Sequence, residues 1–141
     1  MAKQPEGSTR EGERARWVWT PALGWATAIF AMSSVHGQSL PPLPGFQLDK
    51  LVHAATYGIL ALLVRRGVGR AAGEASRALA VPAGWGSALA IFLTSIYGVT
   101  DEIHQIFVPG RSADWQDWLA DTLGAILAVG LQRMVSRSRP S

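Results

Sequence analysis

At 141 residues, with 48% hydrophobic content and a mean hydropathy of +0.15, the chain has room for one domain with tails. It contains no cysteine, which excludes disulfides and thiolate metal sites. The net charge of +3 does not point to nucleic acid, because the basic residues sit in separate clusters between apolar runs.

Residues 1–16 (MAKQPEGSTREGERAR) mix both charges without apolar periodicity and read as a disordered tail. No A-x-A-like cleavage site follows the first apolar run, so that run reads as an uncleaved anchor. It covers about Trp17–Val35 and carries no charge. The second run covers Leu48–Val64, with Asp49 and Lys50 at its start. The third covers about Val81–Thr100, with Pro82 suited to a first helical turn. The fourth covers about Trp115–Val135. Each run approaches the roughly 20 residues that cross a bilayer core. A soluble bundle would show a polar face on every helix, and the first run shows none. The expected fold is therefore all-α: a polytopic membrane protein with four transmembrane helices in a small bundle. The expected domains are a tail at 1–16, a membrane domain at 17–135 and a second tail at 136–141.

Eleven of the thirteen Lys and Arg residues lie in the N-terminal tail, the loop between the second and third runs, and the C-terminal tail. Only Lys50 and Arg111 lie in the other two connections. The positive-inside rule then places both termini in the cytoplasm of a multi-pass protein of the bacterial cell membrane. Asp49, Asp101, Glu102, Asp114, Asp117 and Asp121 gather on the outer side. Trp17, Trp19, Trp25, Trp85, Trp115 and Trp118 lie near run starts, as an interfacial aromatic belt requires.

Helical spacing groups the polar residues. Asp49, His53 and Tyr57 share one face, as do Tyr97, Asp101, His104 and Gln105 if the third helix continues through its polar end. Asp114, Asp117 and Asp121 share another, which continues as Ala125 and Ala128 and so suits close approach inside a bundle. Three helices are thus expected to converge on an outward-facing polar cavity. Plainer roles compete at each position. Ser112 or Asp114 suits an N-cap, and Asp117 suits the positive end of a helix dipole. Asp101 and Glu102 sit at a helix C-terminus, where the dipole disfavours anions, so capping does not explain them. Pro109 and Gly110 form a turn. Arg111 suits an anion, or an ion pair with Asp101 or Asp114. His53 and His104 beside carboxylates leave a metal site open, without naming an ion.

Three stretches carry a resemblance to a known family: "SSVHGQSLPPLP", "LDKLVHAATYGILALL" and "YGVTDEIHQIFVPGRSADWQDWLADTLGAILA". Over about residues 32–130 the chain resembles the VanZ-like family of small membrane proteins. The matching positions are Asp49, Lys50, His53 and Tyr57; then Asp101, Glu102, His104, Gln105, Pro109, Gly110 and Arg111; then Asp117, Asp121 and Gly124. Ala54 departs from the bulky residue many relatives carry after the His. The family takes its name from a protein associated with resistance to teicoplanin-type glycopeptide antibiotics. The resemblance implies a membrane protein with a shared polar motif. It supplies no substrate, metal, cofactor or reaction.

The first functional expectation is a binding or accessory role: a site built from Arg111, Asp49, Lys50, Tyr57, Glu102, Gln105, Asp117 and Asp121 for an envelope lipid or membrane partner. The alternative is an enzyme acting on a lipid-linked phosphate or sugar at the outer leaflet. There His104 would be the first general base, oriented by Asp101, with His53 as a further catalytic candidate. Proton-linked transport through Asp121 and His53 ranks third.

Overall fold

The computed structural model describes residues 6–36, 46–71 and 84–138, with the side chains of 17–36, 48–71 and 84–138. Among them are four α-helices and no strand: α1 (Glu6–Ser33), α2 (Phe46–Ala71), α3 (Trp85–Gln105) and α4 (Trp115–Arg137). The all-α class matches the expectation, while several boundaries differ. Helix α1 begins at Glu6, inside the stretch expected to be a disordered tail. Glu, Arg and Ala are good helix formers, so the helix extends backward from the apolar run. Helix α2 also continues past Val64 through Arg65 and Arg66 to Ala71, where packing of Gly67 against the Trp19 ring outweighs the low propensity of Gly67 and Gly69. Helix α3 starts later than expected, after Gly84, whose φ of 106° cannot continue a right-handed helix. Pro82 and most of the "SSVHGQSLPPLP" stretch lie outside the described residues.

Helix α2 is the centre of the bundle. It packs along α4 and also against α3 and α1, while α3 and α4 pair beside it. Small residues set the α2–α4 distance. A Cβ on Gly124 would fall within the backbone of Ala54, and one on Gly58 would stand 3.2 Å from the Gly124 carbonyl oxygen. The A-x-x-x-G of α2 (Ala54, Gly58) thus meets the G-x-x-x-A of α4 (Gly124, Ala128).

The polarity of the bundle is inverted relative to a water-soluble protein. On α3 the buried residues include Ser87, Thr94, Asp101, Glu102 and Gln105, while Phe92, Leu93, Ile96, Val99 and Ile103 are exposed. The fully buried large side chains are Tyr57, Val129, Thr94 and Asp121. In water such a surface would associate without control, whereas in lipid it is the expected exterior. Leu48–Ala71 and Trp115–Arg137 are long and apolar enough to cross a membrane. In α1 the Trp residues and Pro21 dilute the hydropathy, and in α3 the polar last turn does so.

After α3, Pro109 and Gly110 form a tight turn closed by the Arg111 N–H donating to the Val108 carbonyl at 3.0 Å. Gly110 has φ 75°, as the third position of a type II turn demands. The chain then re-enters helix at Asp114. Its carboxylate accepts from the Gln116 N–H at 2.9 Å, which makes Asp114 rather than Ser112 the N-cap of α4. This short connection brings the polar ends of α3 and α4 beside the first turns of α2.

Candidate functional site

Lys50 organises one half of the site. Its ammonium lies 2.9 Å from Asp114, against Asp117, and 3.5 Å from Asp49. Three carboxylates from α2 and α4 therefore share one built-in cation. One turn deeper, His53 Nδ1 stands 3.0 Å from an Asp121 oxygen, with Nε2 3.8 Å from Asp117. Against an ionised Asp121, which only accepts, Nδ1 is the donor, and Nε2 faces the Asp117 carboxylate. Asp121 itself is 0% exposed. The expected shared face of Asp114, Asp117 and Asp121 thus turns onto α2.

The two acids that capping could not explain have separate roles. Glu102 accepts the Asp114 backbone N–H at 2.6 Å and so pins the start of α4 to the end of α3. Asp101 accepts from the Gln105 side-chain amide at 3.2 Å. Neither Asp101 nor Asp114 forms an ion pair with Arg111 among the described residues. Arg111 instead donates to the Val35 and Met32 carbonyls, each at 3.3 Å. Those carbonyls lie in and just after the last turn of α1, where the negative end of the dipole favours a cation.

His104 lies apart from the acids. It stacks on Phe30 with ring centroids 4.4 Å apart and pairs through Nε2 with the Ser34 hydroxyl at 3.0 Å. The expected orientation of His104 by Asp101 does not form. Tyr97 likewise turns to α1, donating to the Ala26 carbonyl at 2.6 Å. Trp25 and Trp118 are ties between helices as well as ring surfaces. Their indole N–H groups reach the Thr56 carbonyl at 3.0 Å and the Ser95 hydroxyl at 3.1 Å. Trp17, Trp85 and Trp115 are exposed, as a belt requires.

Between α1, α2 and the end of α3 is a cavity of about 390 Å³. Ile29, Met32 and Val52 give it an apolar wall; Asp49, His53, Tyr57, Asp101, Gln105 and Arg111 give it a polar end. Two buried atoms of lining residues, Asp101 Oδ1 and Tyr57 OH, face each other and have no other hydrogen-bond partner. Asp121 Oδ2 and Glu102 Oε1, just outside the lining, have none. Buried polar groups without partners are costly, and a bound polar group would supply what is missing. The α1 contribution to this cavity was not visible from periodicity. The only signal was the Ser and His cluster at the end of the first run.

Asp49, His53 and Asp117 each place a ligating atom within 4.8 Å of the others. His104 is not among them, so the two histidines do not form one ion site. Lys50 already contacts both carboxylates of the set, and a metal ion would have to displace its ammonium.

A family model described as VanZ/LLP1 matches residues 5–136, nearly the whole chain. The chain belongs to the VanZ/LLP1 family. No curated protein and no solved structure matches it. VanZ/LLP1 membership and the two apolar helices make it a membrane protein. In this VanZ/LLP1 chain the motif positions from α2 and α4 form one network. Those from the α3–α4 connection divide between that network and the end of α1.

The network makes stability depend on pH. Asp114, at the helix mouth, has its carboxyl held below the ordinary carboxylate range by the hydrogen bond from Lys50 and by the Gln116 N–H. A lowered folded value means the stabilisation is complete above the unfolded pKa of about 3.9 and is lost as pH falls through the folded value. Thermal unfolding in detergent should therefore show an acid-side loss of stability below about pH 4. Asp114→Asn should flatten that part of the profile; an unchanged profile would remove Asp114 from the network.

Proposed function

We propose that the chain spans the cell membrane four times, with both termini cytoplasmic, and binds the polar head of an envelope lipid in the cavity between α1, α2 and α3. The observation that carries this reading is the cavity itself. One wall suits an acyl or prenyl chain, and the opposite end combines the Arg111 guanidinium with the buried Asp101 and Tyr57 oxygens, which have no partner besides each other. A head bearing a phosphate for Arg111 and a neighbouring hydroxyl or amine for Asp101 would complete both sets of hydrogen bonds. Lipid-linked envelope precursors have this chemistry.

The eleven-to-two partition of Lys and Arg supports this orientation, in which the cavity faces the outer leaflet. The chain lacks cysteine, so a single Cys at Ser112 can be labelled cleanly. Labelling from outside intact cells is expected, and labelling only after the cytoplasm is opened would invert the topology.

A second reading, an enzyme at the same place, is favoured by one observation. His53 is held by Asp121 on one nitrogen and lines the cavity. A base fixed by a buried carboxylate is the arrangement that proton transfer needs. A turnover screen against lipid-linked phosphates, with His53→Gln and His104→Ala in parallel, separates the readings. Turnover that His53→Gln abolishes makes the chain an enzyme. Binding without turnover in either variant or the parent leaves it a binding protein.

A further inference from the structure

A second cavity, of about 520 Å³, opens at the end of the bundle opposite the acids. Arg65, Arg66 and Arg70 of α2 line it, with Ser87 of α3 and Gln132 of α4 on its floor and Leu62 and Leu63 beside it. Arg65 is committed to the scaffold: Nε donates to the Ser87 hydroxyl at 3.0 Å and Nη1 donates to Gln132. Arg66 and Arg70 are exposed. Among the described residues no acid lines the cavity, and every ion pair lies at the other end of the bundle.

Helix α3 begins at the same place and without a side-chain cap, because its N-cap is Gly84. The first N–H groups of a helix have no acceptor within it and carry its positive partial charge. The Arg133 guanidinium also lies over Gly84, where an added Cβ would stand 3.2 Å from its terminal nitrogens. The arginines of α2 and an uncapped helix start thus face one polar opening with an apolar side, and Arg133 of α4 lies beside it over Gly84.

We propose that this cavity binds the phosphodiester of an anionic phospholipid. The phosphate sits between Arg66, Arg70 and the start of α3, and the first part of an acyl chain lies along Leu62 and Leu63. Basic cavities between membrane helices on the cytoplasmic side suit such heads, and guanidinium pairs phosphate oxygens through two parallel hydrogen bonds. This site is independent of the one at the outer end.

The test uses the full chain in neutral detergent and follows thermal unfolding during titration with phosphatidylglycerol, phosphatidylcholine or inorganic pyrophosphate. Each variant is read as a shift from its own lipid-free baseline. Phosphatidylglycerol is expected to raise the unfolding temperature, and the other two are not. Arg66→Gln and Arg70→Gln should each weaken the phosphatidylglycerol response about fivefold, the effect of one basic residue near an anionic head. Arg70→Lys, which keeps the charge and the fold, should retain part of it. Arg137→Gln removes the same charge away from the cavity and should change nothing. An equal response to phosphatidylcholine would overturn the proposal. So would an equal response to pyrophosphate, which would make the site one for soluble phosphate. Equal losses in Arg137→Gln and Arg70→Gln would also overturn it, leaving only diffuse attraction.

Discussion

Replacing Lys50 with Met should lower the stability of the protein in detergent by about 1–3 kcal/mol, less than the ~3–5 kcal/mol for a fully buried pair because Asp49 and Asp114 are partly exposed. Lys50 is 16% exposed and touches Asp49, Asp114 and Asp117. Its loss leaves three carboxylates gathered at a helix mouth without the ammonium that pairs them. The same substitution made with Asp117→Asn should recover a large part of the loss, since the second change removes a charge that the first leaves uncompensated. Chemical or thermal unfolding of the two single variants and the double variant gives the coupling directly. Simple additivity would show that Lys50 is a topology charge and nothing more.

The second large effect is expected at Gly124, where α2 and α4 approach most closely. Gly124→Ala places a Cβ against the backbone of Ala54, which cannot move aside as a side chain tip would. Overpacking of this kind costs about 1–3 kcal/mol, and Gly124→Leu should cost more. The consequence reaches the site, because Lys50–Asp117 and His53–Asp121 both bridge this helix pair. Gly130 is the control on the same helix. Nothing lies within 4 Å of a Cβ built there, so Gly130→Ala should be neutral or stabilising by about 0.4–1 kcal/mol. Equal unfolding temperatures for Gly124→Ala and Gly130→Ala would remove close packing as the basis of the α2–α4 contact.

The helices and the faces of α2 and α4 could be read from the sequence because both rest on local rules. A run of apolar residues spans a length, and residues four apart share a face. Asp49, His53 and Tyr57 converge with Asp117 and Asp121 for that reason. What local rules cannot supply is the rotation of one helix against another. His104 is one residue from Gln105, yet it faces Phe30 on α1 and Ser34 just beyond it, while Gln105 is buried against Asp101. Arg111 likewise has acids within a few residues in sequence, and the carbonyls that it meets at the end of α1 and just beyond it are more than seventy residues away. Lys50 looked like a charge at the edge of a short span. Its central position depends on two side chains more than sixty residues away. The apolar wall of the cavity, from Ile29 and Met32, belongs to a run with no ionisable group to draw notice.

The reading of the outer cavity as a lipid-head site is tested most directly by a structure of the protein extracted together with its own membrane lipids. The expected result is an elongated molecule whose chain lies along Ile29, Met32 and Val52, with its polar head between Arg111 and Asp101. In Arg111→Ala that density should be lost while the four helices keep their places. A wild-type structure with Arg111 closed onto Asp101 and no lipid head between them would contradict the reading, and the polar groups would then be a structural network alone.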